Sequence, residues 1–205
     1  MDAIEVTNDW FVQSARPVWD KLIPSLKPEK ILEVGSFEGA SACYLISSLA
    51  SEHALEIHCV DTWEGGVEHE SEQMGLVEDR FRRNTQSVID AAAQPVDLVV
   101  HKGSSDMEMA SLLAGGKKNY FDFVYIDGSH QAPDVLCDAV LGFKLLKVGG
   151  IMAFDDYLWS EMPPPKLDAL RSPKLAIDAF VNTHLNKLKL IRTHLHQLYI
   201  RKLSN

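Results

Sequence analysis

Short apolar runs recur through the first three quarters of the chain, at the start of Lys30–Ser41 and at Leu55–Val60, Val96–His101, Phe121–Ile126 and Ile151–Phe154. Their length suits strands, and Phe121–Ile126 lacks the alternation of a half-exposed strand, so both its faces are expected to be covered. Between the runs the apolar spacing changes to three and four. This predicts helices over Ala40–Ala50 and Met74–Ala93, from beyond Ser105 to Leu113, and from near Pro133 to Leu146. Within Met74–Ala93, Leu76, Val77, Phe81, Val88 and Ile89 fall on the inward face and Arg80, Arg82 and Arg83 on the outward one. Gly149 and Gly150 are expected to turn the chain into the strand Ile151–Phe154.

The two ends differ from this middle. Trp10, Phe11, Val18, Trp19, Leu22 and Ile23 are spaced as two short helices, interrupted at Pro17 and ended by Pro24 and Pro28. Their aromatics are expected to cover the sheet, with a lid over a ligand or a dimer contact as the alternatives. After the fifth run, Pro163, Pro164 and Pro165 form a stiff connection. Ser172 and Pro173 then read as the N-cap and first turn of a helix through Leu185. Leu188–Leu203 reads as a hairpin turning near His194–Gln197. The whole is expected to be one α/β unit, a doubly wound, mostly parallel sheet over residues 29–205, with residues 1–28 as capping helices.

A formal charge of −9 and the lack of any basic run make a nucleic acid or an anionic membrane an unsuitable partner, so a small molecule is favoured. A homo-oligomer stays open. The acidic start and the lack of a long apolar run give no sign of a leader or a membrane span. Cys43, Cys59 and Cys137 sit in apolar contexts without CxxC spacing and read as reduced core residues, which suggests the cytoplasm.

The chemistry concentrates where the apolar runs stop. In KILEVGSFEGAS, Glu33, Gly35 and Gly39 mark a strand, a tight turn and a helix, whose glycines let backbone approach a ligand closely. The second run ends in Asp61, followed by Thr62–Gly75, a loop holding Trp63 and His69, the latter at best a substrate-loop residue. The later runs end at Asp127 and at Asp155 and Asp156. Carboxylates gathered at neighbouring strand ends repel one another unless a cation or hydrogen-bond donors compensate. An oxygen-only set favours magnesium or another hard divalent ion over zinc. Strand-end capping is the plainer reading of Asp155 and Asp156.

Taken together, the turn Glu33-x-Gly35-x-x-x-Gly39, Asp61 and the terminal hairpin resemble class I S-adenosylmethionine-dependent methyltransferases. VDTWEGG, YIDGSH and GGIMAFDDY resemble, more narrowly, the metal-dependent small-molecule O-methyltransferases of the macrocin, mycinamicin and cephalosporin-biosynthesis types. The resemblance implies a Rossmann-like seven-stranded sheet ordered 3-2-1-4-5-7-6, with Gly35, Asp61, Asp127 and Asp155 on one rim. It implies that the Gly35–Gly39 turn passes beneath the methionine part of the cofactor. Asp61 would accept from the ribose hydroxyls, and Ser36 and Glu33 would line the same pocket. Thr62 would belong to the cofactor contacts, Gly103 and Ser104 would lie on the adenine side, and Trp63 would be either a flank or core packing. Asp127, Asp155 and Asp156 would hold the metal, and His130 would be the base, its ordinary pKa suiting proton removal near neutrality. His194 and His196 read as hairpin surface.

The expected activity is methyl transfer to a hydroxyl of a small molecule, with a metal-independent transferase or a non-catalytic cofactor-binding protein as alternatives. A nicotinamide-dependent oxidoreductase fits less well, because GSFEG lacks the Gly-x-Gly-x-x-Gly spacing.

Overall fold

The apolar runs become strands β1 (Lys30–Val34), β2 (Leu55–Asp61), β3 (Val96–Lys102), β4 (Phe121–Ile126) and β5 (Leu146–Phe154), and the hairpin becomes β6 (Leu188–Ile191) and β7 (Leu198–Lys202). The computed structural model describes residues 4–66, 74–162, 165–193 and 196–205. His69, Pro163, Pro164 and His194, with the middle of Thr62–Gly75, lie outside them. All seven strands form one sheet in the order β3-β2-β1-β4-β5-β7-β6, as the resemblance implied. β1 to β5 pair in parallel, and β7 runs antiparallel to both β5 and β6.

Period-two alternation sends successive side chains to two buried faces. Ile31, Ile57, Cys59, Phe123, Tyr125, Ile151, Ala153 and Tyr199 meet α2 (Arg16–Leu26), α3 (Ala40–Leu49) and α4 (Val77–Asp90). Leu32, Val34, Val60, Val124, Ile126, Met152, Phe154 and Ile200 meet α5 (Ser105–Ala114), α6 (Ala132–Leu145) and α7 (Pro173–Thr183). The four-residue helix α1 (Trp10–Gln13) precedes α2. Trp19 fastens α2 to the middle of the sheet. Fully buried, it meets the Phe123 and Tyr125 rings edge-on, and its indole N–H donates to Tyr199 Oη at 2.9 Å.

Several expectations need correction. Pro24 lies inside α2 rather than ending it; the helix gives up one backbone donor there and runs on to Leu26, where Lys27 caps it with φ 46°. Gly149 and Gly150 lie within β5, which starts at Leu146 and shifts register against β4 between Phe121 and Phe123. Leu76 is exposed because α4 begins only at Val77. Arg80 is largely buried, held by Glu38 Oε1 at 2.6 Å. Cys43 and Cys59 are buried as expected, but Cys137 is exposed. Among the described residues no helix is long and apolar enough to cross a membrane.

Candidate active site

Gly35 locks the rim. With φ +86° it leaves β1 so close to the end of β4 that a Cβ there would stand 1.9 Å from Asp127 O. Flanking bonds fix the same junction, Gly35 N–H to Val60 O at 2.9 Å and Asp127 N–H to Val34 O at 2.8 Å. Gly39, at φ +83°, takes the N-cap position of α3. Glu33 lies fully buried beneath this turn, accepting from the Ser36 and Ser41 hydroxyls at 2.6 Å each and from Cys59 Sγ at 3.4 Å. Burial pushes its carboxyl above the usual range, while those donors pull it down. Glu33 therefore braces the turn from below and presents no surface to a pocket.

Asp61, at the end of β2, faces the same turn. Its Oδ2 accepts from Ser36 N at 2.9 Å and Phe37 N at 2.8 Å, and its Oδ1 from Trp63 N at 2.7 Å. A carboxylate offers about four acceptor directions, so the half-buried Asp61 retains capacity for a further donor. Gly103 N–H donates to Asp61 O at 3.0 Å, which brings the start of the β3–α5 turn, with Ser104 at the helix N-cap position, beside it. Thr62 Oγ1 accepts from Glu64 N at 3.1 Å. Trp63 resolves toward packing: it is buried, its ring 5.0 Å from that of Phe81 and its indole N–H bonded to Phe37 O.

The other half of the rim is built from acids with few donors. Tyr125 Oη contacts Asp127 Oδ2 at 3.0 Å and, more closely still, Asp155 Oδ2. One hydroxyl carries one hydrogen, so it cannot donate to both carboxylates at once. Burial and the neighbouring charges of Asp155 and Asp156 push the Asp127 carboxyl well above its usual range, against the Tyr125 bond. Burial and the charge of Asp156 raise that of Asp155 to about 6, against the Tyr125 hydroxyl and the Asp156 N–H that Asp155 Oδ1 accepts at 2.8 Å. Asp156, with φ 53°, instead turns to His130, its Oδ2 lying 2.9 Å from Nε2. The His130 ring stacks on Trp159 with centroids 4.0 Å apart.

This donor set suits a hard cation in chemistry, since a positive charge between Asp127 and Asp155 would supply what the single phenol hydrogen cannot. Among the described residues, however, no three His, Cys, Asp or Glu side chains converge in a ligating cluster. A cleft of about 10 Å³ runs among Asp127, Gly128, His130, Asp155 and Asp156. A far larger groove, about 1670 Å³, lies elsewhere, between α3, α4 and the β3 edge, and is lined by none of these acids.

Two contributors escaped the sequence reading. Tyr125 shares the face of Asp127 by period-two alternation, a signal visible in YID. Glu38, between the two glycines, is buried and accepts from Arg80 Nε at 2.6 Å, Thr7 N at 2.6 Å and Thr7 Oγ1 at 3.0 Å. It straps the N-terminal segment to the turn, a long-range contact that spacing alone does not reveal.

With this geometry in view, a family model described as a methyltransferase domain matches residues 32–157, more than half the chain. The protein belongs to that methyltransferase family. The chain is 26% identical over 174 residues to a caffeoyl-CoA O-methyltransferase of Populus kitakamiensis, covering 82% of this chain and 63% of that protein. It thus spans less than two thirds of that relative's length. In structure it is similar to the O-methyltransferase TomG of Streptomyces achromogenes, involved in tomaymycin synthesis and solved with S-adenosylmethionine. The TM-score is 0.61 at 17% identity, with 100% of this chain and 84% of that one covered. A Bacillus cereus O-methyltransferase solved with S-adenosylhomocysteine gives TM-score 0.60 at 17% identity, covering 98% and 84%.

Proposed function

We propose that the protein is an S-adenosylmethionine-dependent O-methyltransferase acting on a small hydroxylated molecule, assisted by a hard divalent cation. The observation that carries this reading is the engagement of Asp61 by the Ser36 and Phe37 amides, which sets a strand-end acid against the glycine turn. An acid so placed accepts from ribose hydroxyls. The turn Gly35–Gly39 then runs under the methionine part, with Ser36 beside it and Glu33 acting from beneath. Thr62, Gly103 and Ser104 border the adenine side, with Trp63 supporting it through packing. Family membership and the cofactor-bound relatives support the same assignment.

Bound S-adenosylmethionine would supply a sulfonium methyl for transfer to the acceptor oxygen, leaving S-adenosylhomocysteine, and the hydroxyl proton would pass to a base. His130 is the proposed base. Its contact with Asp156 orients the ring, and the carboxylate favours the imidazolium formed on taking the proton. The ion, held by Asp127, Asp155 and Asp156, would lower the pKa of the acceptor hydroxyl and fix its position. Catalysis otherwise rests on alignment. The poplar relative's name gives it a caffeoyl-CoA acceptor; for this chain the proposal stops at a hydroxylated small molecule. One observation favours a metal-independent transferase of the same fold: Asp156 is already turned to His130.

Titration calorimetry with S-adenosylhomocysteine tests the reading. Binding is expected, and Asp61→Ala should weaken it about tenfold, the scale of one charge-assisted hydrogen bond. No binding by the wild type would end it. A chelator should abolish transfer while leaving cofactor affinity nearly unchanged; chelator-insensitive transfer selects the metal-independent form.

A further inference from the structure

On the face of the sheet covered by α5, a second polar cluster stands behind the Gly103–Ser104 turn, and the proposed reaction does not use it. Buried His58, on β2, places Nε2 at 2.8 Å from Glu56 Oε1 and Nδ1 at 2.8 Å from His101 Nε2, on β3. His101 Nδ1 lies 3.5 Å from Glu108 Oε2, in the first turn of α5. The other charged and titratable neighbours sit at the Glu56 end: Lys117 Nζ at 3.1 Å and Tyr120 Oη at 2.7 Å. Lys30 and Lys117 both lie over the Tyr120 ring.

With both imidazoles neutral, the contact distances assign the protons. Two neutral imidazoles carry two N–H groups. One goes from His58 Nε2 to Glu56 and the other from His101 Nε2 to His58 Nδ1, which accounts for both short contacts. His101 Nδ1 then has only a lone pair toward Glu108, in keeping with the longer separation there. Among the four ring nitrogens only His101 Nδ1 has a lone pair outside these two short contacts, so the next proton on the imidazole pair is placed there. Burial holds both imidazoles below their ordinary value; Glu108 opposes this at His101 and Glu56 at His58, and Lys117 adds to it at both.

Glu108 also touches the turn. A Cβ on Gly103 would stand 2.5 Å from Glu108 Oε1, so this oxygen lies against the Gly103 backbone while its partner oxygen faces His101. A proton on His101 Nδ1 would create a donor for Glu108 and rotate the carboxylate toward the histidine, away from Gly103.

We propose that His101 and Glu108 are positioning residues for the cofactor: Glu108 braces the Gly103–Ser104 turn while His101 is neutral, and protonation of His101 withdraws the brace and weakens cofactor binding. This rests on the reading of that turn as the adenine side of the pocket. By linkage, bound cofactor shifts the titration of His101 to lower pH by the same factor.

The test is calorimetry with S-adenosylhomocysteine at about pH 7.5 and about pH 5.5, spanning the imidazole range. Acidification should weaken binding to the wild type about fivefold, a modest coupling. In His101→Gln the amide nitrogen can still donate to His58, but no titrating atom faces Glu108, so the pH dependence should disappear. Glu108→Ala, which leaves no brace to withdraw, should lose it as well. Nitrogen NMR of the histidine rings gives a readout independent of the variants: protonation should appear at His101 Nδ1, at lower pH when the ligand is bound. Equal acid weakening in the wild type and both variants, or a His101 midpoint unmoved by ligand, would overturn the proposal and leave the cofactor reading standing. Failure of the wild type to bind at any pH would remove the cofactor reading and the proposal with it.

Discussion

The two ends of the rim hold their acids in opposite ways. At the β1–β2 end every acid is met by donors: Glu33 by two hydroxyls and a thiol, Asp61 by three amides, Glu38 by a guanidinium, an amide and a hydroxyl. At the β4–β5 end Asp127 and Asp155 compete for one phenol hydrogen, Asp155 has a further donor in the Asp156 amide, and Asp156 turns its carboxylate aside to His130. Buried acids therefore mean different things at the two ends. The satisfied ones stiffen a turn before any ligand arrives, and the unsatisfied ones hold repulsion that a proton or a cation must relieve. Preorganisation on one side and frustration on the other suit a rim that keeps one ligand in a fixed pose and does chemistry beside it.

The largest effect should come from breaking the junction between the ends. Gly35→Ala drives a methyl onto Asp127 O and requires φ +86° of an alanine, so a loss of about 3 kcal/mol or more is expected in urea denaturation. A loss under about 1 kcal/mol would mean that the two strand ends are not locked. Next comes removal of a donor from the satisfied end. Arg80→Ala leaves the buried Glu38 carboxylate with only Thr7 to meet it among the described residues, and should cost about 2 kcal/mol. Removal of a charge from the frustrated end should have the opposite sign. Asp127→Asn should stabilise the metal-free protein by about 1 kcal/mol while abolishing transfer. Millimolar magnesium should raise the wild-type melting temperature by about 2–4 °C and leave that of Asp127→Asn unmoved. If Arg80→Ala and Asp127→Asn destabilise alike, the contrast is lost.

The pattern of apolar runs made the sheet legible, because parallel strands buried on both faces have to be continuously apolar. The strand-end acids were legible for the same reason: Asp61, Asp127 and Asp155 are polar interruptions at the points where those runs must stop. Contacts made at long range were not. Arg80 reads as solvated in any helical wheel, and only the folded turn supplies Glu38 beside it. Trp63 sits in a glycine-flanked loop that looks ligand-facing, yet Phe81, from α4, captures its ring. Nothing in the chain pattern singles out Lys202 on β7, yet it is buried and its ammonium donates to Phe143 O and Leu146 O, closing the carboxyl end of α6. In each case the partner comes from another element.

The smallest predicted effect concerns an acid outside both ends, and it sharpens the comparison through its sign. Asp138 on α6 is buried with neither carboxylate oxygen at hydrogen-bonding distance from a partner among the described residues. Burial lifts its carboxyl to about 7; the nearby Ser105 hydroxyl moderates the rise, and the charges of Asp134 and Asp106 add to it. A carboxyl raised on folding favours the native state at acid pH, and that contribution is lost as pH climbs through about 7. Asp138→Asn never carries the charge, so it escapes the penalty above neutrality. Its amide brings its own unpaired N–H groups, which offset most of the gain. Urea denaturation should therefore show Asp138→Asn more stable than the wild type by under about 1 kcal/mol at pH 8, and less stable at pH 5, where the wild-type acid is already neutral. The same difference at both pH values would mean that this carboxyl has donors, and that it belongs with the satisfied acids of the β1–β2 end.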